Sequence, residues 1–293
     1  MPGEGTASTL WRAPAKVNLT LHIVGRAADG WHELDSIVAF AGCSDWLRFW
    51  PGEKLSLSVD GPCAAAAGDG ADNLVLKAAF ALASRVPNLR LGRFHLTKNL
   101  PVAAGLGGGS ADAAAALRAL AHTNGLALDD PSVGEAAIAT GSDVPVCLEP
   151  AARAMQGRGE ILGPPLGWPP LYAVLANPRV SMSTKEVFAR IGLAPGERLG
   201  AGMAPSETVE RAAILATLAA GRNDMESAAR AIAPVIGEVL ETLAATQDAR
   251  LARMSGSGAT CFALYEDRHA AAQAAMAMSR TRPGWWVRAT VLR

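Results

Sequence analysis

Apolar Val17, Leu19, Leu21 and Ile23 alternate with Asn18, Thr20 and His22. A period of two predicts a half-buried strand. The stretch from Gly25 to Gly30 then reads as a loop, with Asp29-Gly30 marking a turn. Short apolar runs predict further strands at 37–40, 55–59 and 94–96, and helical spacing over 73–85 includes Leu74 and Leu82. An alanine-rich helix pattern covers 110–123, and another covers 129–140 and is closed by Gly141. Pro145 is expected to keep a new helix from starting directly after that turn. Pro164, Pro165, Pro169 and Pro170 crowd one stretch and mark a domain boundary, which divides the chain into 1–165 and 166–293. Beyond it, strands are predicted at 171–176, 251–254, 261–265 and 285–292, and helices at 206–220, 224–247 and 269–279. Strands and helices mix without a strict βαβ repeat, which favours an α+β fold over a doubly wound α/β one.

Composition narrows the classes. Half of the 293 residues are hydrophobic, enough for a full core. Lysine plus arginine equals aspartate plus glutamate at 27 each, and this balance argues against a nucleic-acid partner, which calls for a basic excess. Cys43, Cys63, Cys147 and Cys261 are scattered and form no CxxC pair. That spacing speaks against zinc or a redox pair and for a reducing compartment. No segment has the length and apolarity of a membrane span, and the first six residues lack the basic and apolar regions of a signal peptide. A cytoplasmic protein without a membrane partner is expected, as a monomer or weak homodimer.

The densest chemical signal is the run from Pro101 to Leu117. Glycines 105, 107, 108 and 109 lead straight into the helix pattern at Ser110. Glycine lets backbone approach a ligand closely. A helix start offers unpaired N–H groups and the positive end of a dipole. Together they suit a phosphate, so the run points to a nucleotide. A flexible loop capped by a helix, with Ser110 as the N-cap, is the plainer alternative. Two common nucleotide motifs do not fit. Gly25 and Gly30 have P-loop spacing, but Trp31-His32 follows them in place of Lys-Ser/Thr. Gly105 and Gly107 begin a dinucleotide fingerprint, but Ser110 occupies the third glycine position.

The pattern Pro-x-x-x-Gly-Leu-Gly-x-x-Ser-Ala at 101–111 resembles the central motif of the GHMP kinases, the family of galactokinase, homoserine kinase and mevalonate kinase. Ala13-Pro-Ala-Lys-Val-Asn-Leu19 resembles the family's first motif, and Ser255-Gly-Ser-Gly-Ala-Thr-Cys-Phe-Ala-Leu264 its third. Further stretches at 29–34, 72–75, 141–145 and 223–226 resemble the branch of the family whose acceptor alcohol carries a cytidylyl group. The resemblance implies a two-domain fold, with a ribosomal S5 domain 2-like N-terminal domain and a ferredoxin-like C-terminal domain. It also implies ATP with Mg2+, a small-molecule cytidylyl acceptor, and an active site between the domains.

Residue roles follow from the same resemblance. Gly105, Leu106, Gly107, Gly108, Gly109, Ser110 and Ala111 would cup the triphosphate, with Pro101, Val102, Ala103 and Ala104 leading in. Asn73, Leu74 and Lys98 would line the adenine pocket, although Lys98 also reads as a solvated strand-end charge. Asp143 is the candidate base, and Lys16, expected within contact or one-water range of it, the electrostatic partner. Trp31 and Phe188 would stack on the base, His32 would read its edge, and Asn18 and Thr184 would touch the acceptor. Trp31 stands where tyrosine is usual, Ala103, Ala104 and Ala111 stand where glycine and serine are frequent, and Ser142 replaces a common alanine. Asn223-Asp224 matches the branch without a derivable role, and helix capping suffices to explain it. The competing expectations are a GHMP kinase of homoserine or mevalonate type and a silent nucleotide sensor of the same fold.

Overall fold

The computed structural model describes residues 7–68 and 70–293. The reading of the first six residues lies outside them. Contacts group the chain into two compact units that interleave in sequence. Unit 1 holds described residues from 7–15, 44–102 and 107–149, and unit 2 holds 16–43, 103–106 and 150–293.

The first two strands, β1 (Thr9–Arg26) and β2 (His32–Pro51), are long and each contributes to both units. In unit 1 they are followed by β3 (Ser56–Asp60), α1 (Leu74–Ala83), β4 (Gly92–Thr97), α2 (Gly108–Asn124), α3 (Pro131–Thr140) and α4 (Val144–Leu148). Strand β4 runs antiparallel to 46–51 of β2 and parallel to β3. Phe49 and Phe94 stack across the β2–β4 pair at 4.6 Å between ring centroids, both fully buried. The helices pack on one another, with α2 against α1, α3 and α4. Ala111 and Ala113 to Ala116 are all fully buried, as a helix apolar on every side requires.

Unit 2 continues with β5 (Arg153–Gly157), β6 (Ile161–Leu162), β7 (Leu171–Asn177), α5 (Thr184–Ile191), α6 (Arg211–Ala220), α7 (Glu226–Ile232), α8 (Val235–Ala244), β8 (Leu251–Met254), β9 (Cys261–Tyr265), α9 (Arg268–Thr281) and β10 (Trp286–Leu292). An antiparallel sheet runs β10-β7-β9-β8, and α8 and α9 pack on it. Val174, Ile236, Val239, Cys261, Ala263 and Met278 belong to its core. Residues 34–38 of β2 pair with β5, which forms a hairpin with β6.

Several expectations change. The strand expected to be half-buried at 17–23 is buried on both faces: Asn18, Thr20 and His22 are as enclosed as their apolar neighbours. Most of their polar atoms take part in hydrogen bonds; His22 Nδ1 is buried without a partner among the described residues. Thr20 Oγ1 accepts from Ile37 N at 3.0 Å, and His22 Nε2 accepts from Arg222 N at 3.2 Å. Alternation therefore marks a polar network here, not a wet face. Helix α2 starts at Gly108 with Gly107 in the left-handed region as its N-cap, so Ser110 lies inside the first turn and is not the cap. Pro145 does not delay α4: proline suits the first turn of a helix, where its missing N–H has no partner to lose. The single helix expected at 224–247 is two, broken around Pro234, and the one expected at 206–220 begins only at Arg211. Strands β5 and β6 and helix α5 were not predicted from periodicity.

Candidate active site

In unit 2, one hydrogen-bond network draws together the first motif, the approach to the glycine run and the third motif. Lys16 is buried on β1, and its Nζ donates to Asn18 Oδ1 at 3.3 Å. The Asn18 amide donates to Ser36 Oγ at 2.8 Å, which in turn donates to the Thr20 carbonyl. Asn18 N donates to Ser255 Oγ at 3.1 Å, and that hydroxyl donates to the Gly105 carbonyl at 2.8 Å. Lys16 N donates to the Leu106 carbonyl, and Thr260 N to that of Ala104. Gly105 needs its glycine: its φ is +74°, and a Cβ would overlap the Ser255 carbonyl oxygen. Ala103 adopts φ +50° with a side chain in place, a left-handed conformation that non-glycine residues seldom take.

The candidate acceptor residues lie in the same unit. His32 stacks on Phe188 with centroids 4.1 Å apart and an 18° interplanar angle. Burial, with help from the Arg26 charge, lowers the His32 pKa and favours the neutral ring. Its Nε2 is buried without a hydrogen-bond partner. Trp31 is exposed, with the Arg158 guanidinium 5.1 Å from its ring centroid. Thr184 opens α5, and its hydroxyl lies 2.9 Å from that of Ser257 in the third motif. The Thr184–Ser257 bond thus joins the helix that bears Phe188 to the loop that holds Gly105.

Unit 1 contains the rest of the glycine run. Gly107 takes φ +58°, and the first turn of α2 then presents backbone N–H groups without intrahelical partners. Leu74 abuts Gly109: a Cβ there would lie 3.3 Å from its Cδ1. Asn73 caps α1, accepting from Val75 N at 3.0 Å and donating to the Gly68 carbonyl at 2.8 Å. Lys98 is not the solvated charge that its strand-end position allows. It is buried, paired with Asp45, and 2.6 Å from Asp112 Oδ2. Burial opposes its charge, yet the carboxylates of Asp112 and Asp45 hold its pKa above the ordinary value. Burial also pushes the Asp112 carboxyl up to about 7, against the pull of Lys98. Asp45 Oδ1 accepts from Asn99 N at 2.5 Å and Leu100 N at 2.9 Å, which fixes the chain leading to Pro101. Asp143 occupies the N-cap position of α4 but makes no side-chain cap bond.

The GHMP kinases N terminal domain model matches residues 73–149, and the GHMP kinases C terminal model matches 206–283. The chain belongs to the GHMP kinase family. As a GHMP kinase it is an ATP-dependent small-molecule kinase. A protein of Methylobacterium radiotolerans named 4-diphosphocytidyl-2-C-methyl-D-erythritol kinase is 57% identical over 96% of this chain and 98% of its own. One of Rhodopseudomonas palustris with the same name is 55% identical over 98% of both chains. The crystal structure of a 4-(cytidine 5'-diphospho)-2C-methyl-D-erythritol kinase superposes with a TM-score of 0.78 at 32% identity, over 97% of this chain and 99% of that one. A Leishmania major (L. major) mevalonate kinase shares the fold, with a TM-score of 0.69 at 14% identity over 100% and 98% of the two chains.

Reading this GHMP kinase from sequence missed the residues that act through others. Ser255 bridges Asn18 and Gly105, and Ser257 holds Thr184. Asp45 and Asp112 enclose Lys98. Asn223 does not cap α7, whose N-cap is Met225: its oxygen accepts from Met225 N, and its amide donates to the carbonyls of Met254 and Gly256. None of these partners is adjacent in sequence, so no local spacing signals them.

Proposed function

We propose that this GHMP kinase transfers the γ-phosphoryl group of ATP to the 2-hydroxyl of 4-diphosphocytidyl-2-C-methyl-D-erythritol, in the non-mevalonate route to isoprenoid precursors. The observation that carries this reading is the His32–Phe188 stack with its unpartnered Nε2, in a chain whose near-full-length relatives bear that enzyme's name. An aromatic face beside an unused ring nitrogen suits a pyrimidine base, which offers both a π-surface and a polar edge. Trp31 supplies a further stacking face, and Asn18 and Thr184 contact the rest of the acceptor.

The nucleotide is held by Gly105 to Ala111, with Pro101 to Ala104 leading in and Asn73, Leu74 and Lys98 at the adenine end. Backbone N–H groups at the start of α2 receive the phosphates. Asp143 takes the proton of the acceptor hydroxyl as its oxygen bonds to the γ-phosphorus and the bond to ADP breaks. Lys16 offsets the charge that develops there. Ser110, in the first turn of α2, would offer a side-chain oxygen to a magnesium ion accompanying ATP, and such an ion would offset the charge of the triphosphate. We place the N-terminal family domain at 1–165 and the C-terminal one at 166–293, in a cytoplasmic monomer or weak homodimer.

ADP release with the cytidylyl alcohol, homoserine and mevalonate compared as acceptors tests the reading. Turnover is expected only with the first, and preference for either other alcohol overturns it. Asp143→Asn is expected to lower kcat by about 10²- to 10⁴-fold, the usual contribution of a positioned base, while ATP affinity measured by equilibrium binding stays near the parent value. Near-normal turnover in that variant removes Asp143 from the mechanism.

A further inference from the structure

Trp31 is the large aromatic side chain that unit 2 leaves most open, at 56% exposure, and it sits on a short turn. The turn is anchored at one end by Arg26, whose guanidinium donates to the carbonyls of Gly30 and Leu193 at 2.8 Å each. Within it Trp31 N donates to Asp29 Oδ1, and Ala27 N to the Trp31 carbonyl. The indole itself is held from a distant part of the chain. Arg158, at the tip of the β5–β6 hairpin, lies over the ring and forms an ion pair with Asp29 from the same turn. The hairpin tip is shaped for this. Gly157 and Gly159 both take positive φ, and Arg158 N donates to Glu160 Oε2 at 2.6 Å.

We propose that Arg158 is a positioning residue for the acceptor: it backs one face of the Trp31 indole and thereby presents the opposite face for stacking by the acceptor's base. This rests on the assignment of Trp31 as a stacking ring. An exposed indole without a backing group samples several rotamers, and a ligand must bear the cost of selecting one. A guanidinium over the ring and tethered to Asp29 makes that selection beforehand. A planar guanidinium can lie along a ring face, which an ammonium cannot do. Arg158 touches neither reacting atoms nor ATP in this account, so its effect belongs in acceptor binding alone.

Steady-state kinetics of Arg158→Ala, Arg158→Lys, Trp31→Ala and the Trp31→Ala/Arg158→Ala pair test this, with 4-diphosphocytidyl-2-C-methyl-D-erythritol and ATP varied in turn. Arg158→Ala is expected to raise the acceptor KM by about three- to thirtyfold, the scale of one exposed cation–π contact plus one exposed ion pair. The ATP KM and kcat should stay within about twofold, and Arg158→Lys should recover only part of the loss. The double variant should be no worse than Trp31→Ala alone, because the arginine acts through the ring. An unchanged acceptor KM in Arg158→Ala, equal losses in ATP KM and kcat, or full additivity in the pair would each overturn the proposal. Failure of the parent enzyme to phosphorylate this acceptor is a separate outcome: it overturns the acceptor assignment, and the proposal with it.

Discussion

Asp112 is the residue whose environment departs furthest from what its type prefers. Two carboxylates and one ammonium are enclosed together, leaving a formal excess of negative charge in a buried site beside the second turn of α2. Asp112 Oδ1 is buried without a hydrogen-bond partner. Its pKa rises from the ordinary 3.8 to about 7, burial being the largest cause. A carboxyl whose folded pKa lies above its unfolded value contributes stability that is complete below about pH 4 and is lost as pH rises through about 7. Asp112→Asn keeps an acceptor for Lys98 and removes the titration. Thermal unfolding of parent and variant should therefore give a Tm difference, variant minus parent, that grows more positive from about pH 4 to 7 and levels off above. A difference that stays flat across this range would show that the proton is not held at Asp112.

At the scale of elements, the segment 222–224 shows how far a local reading reaches. Backbone pairing ties it to β1, where Leu21 N donates to the Arg222 carbonyl and Asp224 N to that of Leu21. Asp224 Oδ2 accepts from Ile23 N at 2.8 Å. Asn223 then reaches the third motif with its amide and accepts from Met225 N with its oxygen. Losing the bond to Met225 N costs about 1 kcal/mol, and stranding buried carbonyls adds about 1–3 kcal/mol. Asn223→Ala should therefore destabilise by about 2–4 kcal/mol, or about 4–16 °C in Tm for a chain of this size. A drop of only a few degrees would mean that the local bond to Met225 N is its whole role. Most elements were legible because their signals are local. Leu251–Met254 and Cys261–Tyr265 match their apolar runs, and Pro131–Thr140 follows an Asp130 cap and a proline at its first turn. What failed was non-local. Alternation at 17–23 could not reveal that Ser36, Arg222 and Ser255 would absorb the polar face of β1. The break at Pro234 is the exception: that proline is itself a local signal, and helical spacing alone ignores it.

For the whole molecule, the fold is shared more widely than the chemistry of any one acceptor. A mevalonate kinase with 14% identity superposes almost end to end, so the architecture does not by itself select an alcohol. The glycine run is legible as a candidate phosphate site from residue types alone, because glycine and a helix start carry their physics locally. The proposed acceptor residues are singled out only by family motifs. Trp31, His32 and Phe188 read as ordinary packing until the fold sets His32 against Phe188 across more than 150 positions of sequence. If selection resides in these rings, removing one should separate the two substrates kinetically. Phe188 also packs against the core of unit 2, so Phe188→Leu is the suitable change: it keeps apolar volume and removes the flat face. Losing a stacked base is worth about 1–3 kcal/mol, so the acceptor KM should rise by about five- to 150-fold. The ATP KM should remain within about twofold if Phe188 serves the acceptor as proposed. Parallel loss of both affinities would instead trace the effect to the Thr184–Ser257 link between α5 and the third-motif loop, and selection would then have to be sought outside the aromatic pair.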